Sequence, residues 1–431
     1  MDISELYDIY LRHPVVTTDS RNCPEGSIFF ALKGASFNGN AFAAKALEQG
    51  CAYAVVDEEQ YLQPGDVRYL YVPDVLDALQ RLAHHHRMQF SLPVIQVTGT
   101  NGKTTTKELV SAVLSKRHRV LFTQGNLNNH IGVPLTLLRL RPEHTIAVIE
   151  TGANHPGEIK TLSEIVAPDY GIITNVGMAH LEGFGSFEGV KQTKGELYAY
   201  LRGRDGQVFV DADSPYLPSM AEGLRQIRYG RCGGQQLVVE GELVACAPYL
   251  HFRWRSDGSW QDVQSKLIGV YNITNMMAAA TVGHTFGVPD EDISEALAAY
   301  CPSNNRSQLT VTAHNRLVVD AYNANPTSMR AALENFKAMQ VEHKMVILGD
   351  MGELGAESER AHQEVVDFLR DAAFDNVWLV GRRFMAARHD FRTFADVEQV
   401  KATLSEEMPQ GYYILIKGSN STKLYQLPAF L

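Results

Sequence analysis

The chain is poor in cysteine and carries no excess of positive charge. Its five cysteines are widely spaced and include no Cys-x-x-Cys pair, which argues against a disulfide framework or a zinc–thiolate site and is typical of reduced thiols in a cytosol. The 39 Lys and Arg residues against 49 Asp and Glu residues give a formal net charge of −10, so no basic field is available to hold a nucleic-acid backbone. We therefore expect no nucleic-acid partner and no redox chemistry.

Long apolar runs are also missing. No segment approaches the ~18 consecutive apolar residues that a membrane span needs, and the first residues, MDISELYDIYLRH, are charged throughout. These features predict a soluble, cytoplasmic protein that has no membrane partner. With 431 residues, 45% of them hydrophobic, the chain is long enough for two or three domains, each with a core of its own.

The apolar patterns divide the chain into three α/β domains. Residues 1–92 combine short strand-like runs with helical stretches and predict a small α/β domain. Residues 93–301 alternate strand runs with helices, which indicates a parallel sheet, and a β-rich elaboration without helical period is attached from about 207 to 269. Residues 302–431 repeat the alternation, so we expect a Rossmann-like domain there.

The sharpest local signal is GTNGKTTT, which lies between an apolar strand run and a helical stretch. Glycines at 99 and 102 allow successive backbone N–H groups to converge on an anion, and the helix that begins near Lys103 adds its positive dipole end. Lys103 supplies a point charge, and Thr104 can place a hydroxyl on Mg²⁺. Only two residues separate Gly99 from the Gly-Lys pair, where the usual phosphate loop has four. The flanking strand and helix favour a nucleotide site over an ordinary turn with a surface lysine. The residues expected to bind the nucleotide here are Gly99, Thr100, Asn101, Gly102, Lys103, Thr104 and Thr105.

Polar residues follow the next strand runs of the central region. Glu150 ends TIAVIE, His180 follows YGIITN in the stretch VGMAHLEGFGS, and Lys194 belongs to the helical stretch KQTKGE. Because ligands gather at the carboxyl ends of parallel strands, we expect these three residues to form a metal site beside the phosphate loop. Each also has an ordinary interpretation: Glu150 could cap the helix that follows it, His180 could be a loop histidine, and Lys194 could lie on a solvated helix face.

Eight motifs of this chain resemble, in order, those of the Mur ligases. They are VTGTNGKTTTKE, GNLNNHIGVPLTLL, IETGANHPGEI, AHLEGFGS, TKGEL, GVYNITNMMAA, VDAYNANPTSM and LGDMGELG. The stretch TTDSRNCPEGSIFFALKGASFNGNAFAAKALEQG resembles the uridine-nucleotide pocket of the same family. The resemblance spans almost the whole chain and implies an ATP-dependent ligase of peptidoglycan precursor synthesis that works through an acyl phosphate. It is greatest to the member that adds D-Ala-D-Ala to UDP-N-acetylmuramoyl-tripeptide (UDP-MurNAc-tripeptide).

The resemblance also implies roles for residues at matching positions. Lys103 and Thr104 would hold the β- and γ-phosphates of ATP and the first of two Mg²⁺ ions. Glu150 and His180 would ligate the magnesium ions, and Lys194 would be carried as a carbamate, N6-carboxylysine. The matching positions near the nucleotide are Asn272, Asn275, Arg306 and Asp320. Those implied for the substrates are Ser20 and Arg21 in the uridine pocket, Tyr322, Asn323 and Asn325 near the acceptor dipeptide, and Lys417 and Ser419 in a C-terminal substrate element.

Two departures and three alternatives accompany this resemblance. Asn420 stands where related sequences often carry arginine, and Gly352 where leucine is common. The alternatives are a phosphate-loop nucleotide switch, the Mur ligase that adds the third residue, and a folylpolyglutamate-type ligase. The diaminopimelate-adding enzyme typically shows Asp-Asn-Pro-Arg, whereas Asn325-Pro326 is followed here by Thr327, which favours the dipeptide adder. The chain is expected to act as a monomer, and the third residue of its donor, lysine or diaminopimelate, stays open.

Overall fold

The computed structural model describes residues 1–231, 233, 236–302 and 308–431. Three α/β units follow one another along the chain, as the sequence predicts. The elements of the first unit are α1 (Ile3–Arg12), β1 (Val16–Thr17), β2 (Ile28–Phe30), β3 (Lys33–Gly34), β4 (Phe37–Asn38), α2 (Ala43–Glu48), β5 (Tyr53–Val56), β6 (Tyr69–Tyr71) and α3 (Val75–Arg87). Its four-stranded parallel sheet has the order β1-β2-β5-β6, and β3 and β4 pair separately.

The central unit is built on a nine-stranded sheet. Its elements are β7 (Val94–Thr98), α4 (Lys103–Leu114), β8 (Val120–Phe122), α5 (Gly132–Leu137), β9 (Ile146–Glu150), α6 (Glu158–Val166), β10 (Tyr170–Ile173), α7 (Leu181–Phe184), α8 (Phe187–Arg202), β11 (Gln207–Asp211), α9 (Leu217–Met220), β12 (Arg225–Arg231), β13 (Val239–Cys246), β14 (Tyr249–Arg255), β15 (Gln261–Ile268), α10 (Asn272–Thr285) and α11 (Asp290–Ala299). The order is β15-β14-β13-β12-β11-β10-β7-β9-β8. The β-rich elaboration therefore continues the central sheet, with β14 and β15 as antiparallel strands at one edge.

The C-terminal unit has a six-stranded sheet. Its elements are β16 (Gln308–Val311), β17 (Arg316–Asp320), α12 (Pro326–Ala338), β18 (Lys344–Gly349), α13 (Ser358–Ala372), β19 (Asn376–Val380), α14 (Arg382–Ala386), β20 (Arg392–Phe394), α15 (Val397–Glu406) and β21 (Tyr413–Lys417). The order is β16-β17-β21-β18-β19-β20, with β16 antiparallel to its neighbour. This is the Rossmann-like arrangement that the sequence predicts. The expected boundaries at 92/93 and 301/302 remain predictions.

The first two units each have a buried apolar cluster of their own, and a further cluster spans both of them. Leu79 and Leu82 of α3 belong to the same buried cluster as Leu137 of α5 and Leu162 of α6. A fully buried leucine contributes about 1.5–3 kcal/mol, so packing against the central unit stabilises the first one. Within the described parts of the chain, no helix is both long and apolar enough to cross a membrane.

Candidate functional site

A cavity of about 1000 Å³ lies between the central and C-terminal units. It is at the carboxyl ends of parallel strands, where open α/β sheets bind their ligands. The central unit lines it with the phosphate loop, with Glu150 at the end of β9 and with His180 before α7. The C-terminal unit contributes Asp320 at the end of β17 and Lys417 at the end of β21. The chain therefore brings residues from distant segments to one cleft.

The phosphate loop has the strand–loop–helix context that the sequence predicts. Gly99 and Gly102 have φ values of 142° and 79°, and a Cβ on Gly99 would lie 2.0 Å from Thr174 Oγ1. Larger residues are therefore excluded at position 99. Lys103 begins α4, and its ammonium donates to the carbonyl oxygens of Gly99 and Thr100, both at 2.9 Å. The loop thus wraps around a cation at a helix N-terminus, which is an arrangement that binds phosphate.

Glu150 is the acidic residue nearest to this loop. It is only 1% exposed, and its Oε1 accepts from Thr104 Oγ1 at 3.1 Å and from Asn128 Nδ2 at 2.8 Å. Its Oε2 is buried and has no hydrogen-bond partner within the described residues. A buried carboxylate oxygen without a partner is costly, and Mg²⁺ prefers hard oxygen ligands such as carboxylate and hydroxyl. Glu150 and Thr104 therefore fit a magnesium site.

The protein supplies few ligands of its own for such an ion. In the part of the chain that the structure describes, no three His, Cys, Asp or Glu side chains are grouped so that they could hold a metal. Mg²⁺ is commonly held by one or two carboxylates together with the phosphates of a substrate and water. The arrangement around Glu150 therefore suits Mg²⁺ that binds together with a nucleotide.

Lys194 lies in the middle of α8 and is 2% exposed. Its Nζ lies 5.3 Å from the centroid of the Phe184 ring, and no hydrogen bond or ion pair of this Nζ is present among the described residues. Burial, followed by repulsion from Lys103, lowers the Lys194 pKa to about 7. Glu196, a carboxylate on the same helix, accepts from the backbone N–H groups of Gly157 and Lys160, at 2.7 and 2.8 Å, and does not pair with Lys194. The amine of Lys194 is therefore uncharged in a large fraction of molecules near neutral pH.

His180 meets the C-terminal unit. Its backbone is left-handed, with φ 51°, and its Nδ1 lies 2.5 Å from Glu353 Oε2. This contact has the distance of an ion pair without the angles of a straight hydrogen bond. The contact with His180 lowers the pKa of the Glu353 carboxyl. The sequence analysis did not identify Glu353, because nothing in its motif LGDMGELG indicates that this residue contacts His180.

The start of α10 is tied to the phosphate loop. Asn275 Oδ1 accepts from Thr106 Oγ1 at 3.1 Å, and Asn275 Nδ2 donates to Asn272 Oδ1 at 2.8 Å. A Cβ on Gly102 would lie 2.8 Å from Asn275 Oδ1, so these segments are in close contact. Both asparagines line the cavity. They are thus positioned to contact a nucleotide whose phosphates lie at Lys103.

The implied residues of the C-terminal unit fall into two groups. Asp320 and Lys417 are cross-strand neighbours that form a direct ion pair, and with Tyr322 and Asn323 they line the cavity. Ser419 does not line the cavity within the described residues; its Oγ accepts from Gly352 N at 2.8 Å. Gly352, the middle glycine of LGDMGELG, thus lies against the C-terminal substrate element. Two further positions stand apart: Asn420 is exposed at the surface, and Arg306 lies outside the described residues.

Asn325 links the C-terminal unit to the phosphate loop. It is the N-cap of α12, and its Nδ2 donates to Asn101 Oδ1 at 2.8 Å. Nearby, Thr327 Oγ1 accepts from Met178 N at 3.0 Å. The two units are therefore docked beside the cavity, which Asn101 and Thr327 line and which Asn325, among the described residues, does not.

Two asparagines that complete the cradle were missed by the sequence analysis. Asn175 Oδ1 accepts from Asn101 N and its Nδ2 donates to Asn101 O, both at 3.0 Å. Asn128 holds Glu150, as described above. Asn175 ends the apolar run YGIITN, so the rule that pointed to Glu150, a polar residue at a strand end, could have found it.

The residues implied for the uridine pocket lie away from this cavity. Arg21 has a side chain that is 84% exposed and paired with Asp19 at 2.9 Å, and Ser20 is half-buried beside it. In the same unit the buried Asn40 bonds Asp57, which pairs with Lys33 at 3.0 Å. The structure does not bring Ser20 and Arg21 to the phosphate loop.

The family models and a curated relative that match this chain are all Mur ligases. Three family models match: "Mur ligase family, catalytic domain" over residues 14–87, "Mur ligase middle domain" over 97–283, and "Mur ligase, glutamate ligase domain" over 305–420. The chain is 35% identical to the UDP-N-acetylmuramoyl-tripeptide–D-alanyl-D-alanine ligase of Escherichia coli (strain K12), covering 96% of this chain and 92% of the relative.

Two solved structures are similar along most of their length. MurF from Acinetobacter baumannii is 32% identical with a TM-score of 0.87, covering 96% of this chain and 92% of that one. MurF ligase from Thermotoga maritima in complex with ADP is 26% identical with a TM-score of 0.85, covering 97% of both chains. The likeness therefore includes all three α/β units.

Proposed function

The chain belongs to the Mur ligase family, and from this we infer that it is the ATP-dependent ligase that joins D-Ala-D-Ala to UDP-MurNAc-tripeptide. The observation that carries this inference is the similarity to tripeptide–D-alanyl-D-alanine ligases over 96% of the chain. The cavity between two docked units, with a phosphate loop on one wall, supports it. The products are UDP-MurNAc-pentapeptide, ADP and phosphate, and the reaction belongs to cell-wall synthesis.

Amide formation from an ionised carboxylate needs a better leaving group than oxide. The γ-phosphoryl group of ATP is transferred to the terminal carboxylate of the tripeptide, which gives an acyl phosphate and ADP. The amine of D-Ala-D-Ala then attacks the acyl carbon, the C–N bond forms, phosphate leaves and the amine loses its proton. The first step brings an anion onto a polyanion, so oriented N–H groups and Lys103 must neutralise and position the reactants.

Each wall of the cavity has a part in this scheme. The phosphate loop and Lys103 hold the β- and γ-phosphates, and Asn272 and Asn275 contact the adenosine. Glu150 Oε2 and Thr104 Oγ1 would hold Mg²⁺, which, when bound, neutralises phosphate charge. His180 is proposed for the second ion, with its Nδ1 engaged by Glu353.

The C-terminal unit presents the acceptor. Asp320 and Lys417 form an ion pair in the cavity wall, beside Tyr322 and Asn323. The acyl phosphate would hydrolyse in open water, and docking of the C-terminal unit over the phosphate loop excludes water from it. Asn325, bonded to Asn101, connects acceptor binding to this docking.

We propose that Lys194 is modified to N6-carboxylysine. Its neutral amine attacks CO₂, an N–C bond forms while a C=O π bond opens to a carboxylate, and the amine proton leaves to water. The lowered pKa of Lys194, about 7, makes the neutral amine available. The product is an oxygen ligand of the hard type that Mg²⁺ prefers, whereas an ammonium group would repel the ion.

Acceptor dependence is the test of this function. With purified protein, UDP-MurNAc-tripeptide, ATP and Mg²⁺, we expect phosphate release that requires D-Ala-D-Ala. L-lysine, diaminopimelate and glutamate should not replace the dipeptide. Release with glutamate alone would indicate a folylpolyglutamate-type or earlier-acting ligase, and release without any amine would indicate a nucleotide switch.

Arg21 is expected to act on the UDP-linked donor and not on ATP. Because Arg21 lies in the first unit and Lys103 lies in the central unit, Arg21→Ala should raise the KM for UDP-MurNAc-tripeptide about tenfold or more. The KM for ATP should change less than about twofold. Arg68→Ala is the matched control, since Arg68 is an exposed arginine of the same unit that also pairs with a nearby aspartate. Equal effects of Arg21→Ala on both substrates would refute the placement of the donor.

A cytoplasmic location and a monomeric state remain predictions from the sequence.

A further inference from the structure

One residue of the C-terminal unit, Glu353, contacts His180 at the wall of the cavity. Glu353 lies in the loop after β18, and its backbone has φ 59°. Its carbonyl oxygen accepts from Glu182 N at 3.2 Å, and its carboxylate lies 2.5 Å from His180 Nδ1. A single residue therefore contacts both the backbone and the side chain at the start of α7.

The His180 ring is held from two sides. Phe184 packs edge-on against it, with ring centroids 6.2 Å apart and an angle of 90°. Glu353 lies on the Nδ1 side of the ring, and Nε2 is the other ring nitrogen, which can serve as a ligand when it is unprotonated. A histidine that binds a metal is generally oriented in this way by a carboxylate at its other nitrogen. Here the carboxylate comes from another unit of the protein.

We propose that Glu353 is a positioning residue that orients His180 for the catalytic centre, and that it does so only while the C-terminal unit is docked. The inference rests on the proposed function, in which His180 serves a magnesium ion. It explains how docking is coupled to chemistry. When the C-terminal unit moves away with its acceptor site, the carboxylate leaves and His180 loses its orientation.

The orienting role of the Glu353 side chain can be tested separately from docking of the C-terminal unit, because other contacts hold that unit in place. The backbone contact between Glu353 and Glu182 does not depend on the Glu353 side chain, and Asn325 and Thr327 dock the same unit elsewhere. The Glu353 side chain is 56% exposed, so Glu353→Gln changes the charge with little effect on packing. The variant should therefore fold and dock normally, which its thermal unfolding midpoint verifies.

Calorimetric binding of ADP, with Mg²⁺ and with EDTA, tests the proposal without using turnover. Glu353→Gln should weaken ADP binding about tenfold in the presence of Mg²⁺, because loss of a supporting partner of a metal ligand costs ~10–100-fold in metal affinity or activity. Binding in EDTA should be unchanged. Glu357→Gln is the matched control, since Glu357 lies four positions further along and pairs only with Arg360 among the described residues; it should match the wild type in both conditions.

A double-mutant cycle shows whether Glu353 acts through His180. In a His180→Ala background, Glu353→Gln should cause no further loss of Mg²⁺-dependent ADP affinity. Additive losses, or an equal loss with Mg²⁺ and with EDTA, would overturn the proposal and make Glu353 a docking residue. These measurements need neither donor nor acceptor, so they remain decisive even if the wild-type protein shows no D-Ala-D-Ala-dependent phosphate release, a result that would refute only the proposed function.

Discussion

Lys103→Ala should lower kcat about 10³-fold while the protein stays folded. The ammonium of Lys103 is held by the carbonyl oxygens of Gly99 and Thr100 at the N-terminus of α4, where a transferring phosphoryl group places its charge. Removal of one preorganised group that stabilises the transition state typically costs ~10²–10³-fold, and a residue on a polyanion site is expected at the upper end of this range. Single-turnover phosphate release measures the loss of rate, and a thermal unfolding scan tests whether the variant is folded.

Lys116→Ala is the control for this variant. Lys116 follows the same helix, pairs with Glu295 at 3.0 Å and does not line the cavity. Surface pairs of this kind contribute little, so kcat should change less than about twofold. A folded Lys103→Ala protein with wild-type turnover would exclude the phosphate loop from catalysis.

Lys194→Ala should lower kcat roughly 10²-fold or more and should recover part of it with added formate or acetate. The small carboxylate would occupy the space of the carbamate and restore an oxygen ligand. Lys194→Arg should stay inactive, because a guanidinium group keeps the positive charge and cannot carry the carbamate. Lys191→Ala should behave like the wild type, because Lys191 is a half-buried lysine on the same helix that pairs with Glu188.

A spectroscopic measurement makes this prediction independent of activity. Wild-type protein in ¹³C-bicarbonate should show a carbamate carbon signal that Lys194→Ala lacks. A lysine of ordinary pKa is neutral in fewer than about one molecule in a thousand at pH 7, whereas burial lowers the pKa of Lys194 to about 7 and so makes its neutral amine far more abundant. Full activity in Lys194→Arg, or no carbamate signal in the wild type, would leave Lys194 as a simple cation.

Strands with continuous apolar runs were predicted well. The apolar run before GTNGKTTT and the runs TIAVIE and YGIITN form β7, β9 and β10, because strands buried on both faces need apolar residues throughout. The apolar patterns did not predict β1, β16 and β20, which have only two to four residues. They also did not predict β12, which carries three arginines. Pairing with neighbouring strands defines these elements, and a pattern within one segment does not contain that information.

Burial of Lys194 shows where local patterns fail. KQTKGE is polar and taken by itself also allows a solvated helix face, yet Lys194 is 2% exposed, since α8 packs against α6 and α7. The first unit gives a second example, because part of its apolar core, including α3, belongs to a cluster that it shares with the central unit. In both cases a neighbouring element, distant in sequence, determines what is buried.

The sequence by itself determined the phosphate loop, the parallel sheets and the polar residues at their strand ends, because these depend on backbone freedom at Gly99 and Gly102 and on short-range apolar periodicity. Only the tertiary structure decided which of those residues meet. Asn325 reaches Asn101 across 224 positions of sequence, and Glu353 reaches His180 from another sheet. Such contacts depend on how the central and C-terminal units pack against each other, and neither segment contains that information alone.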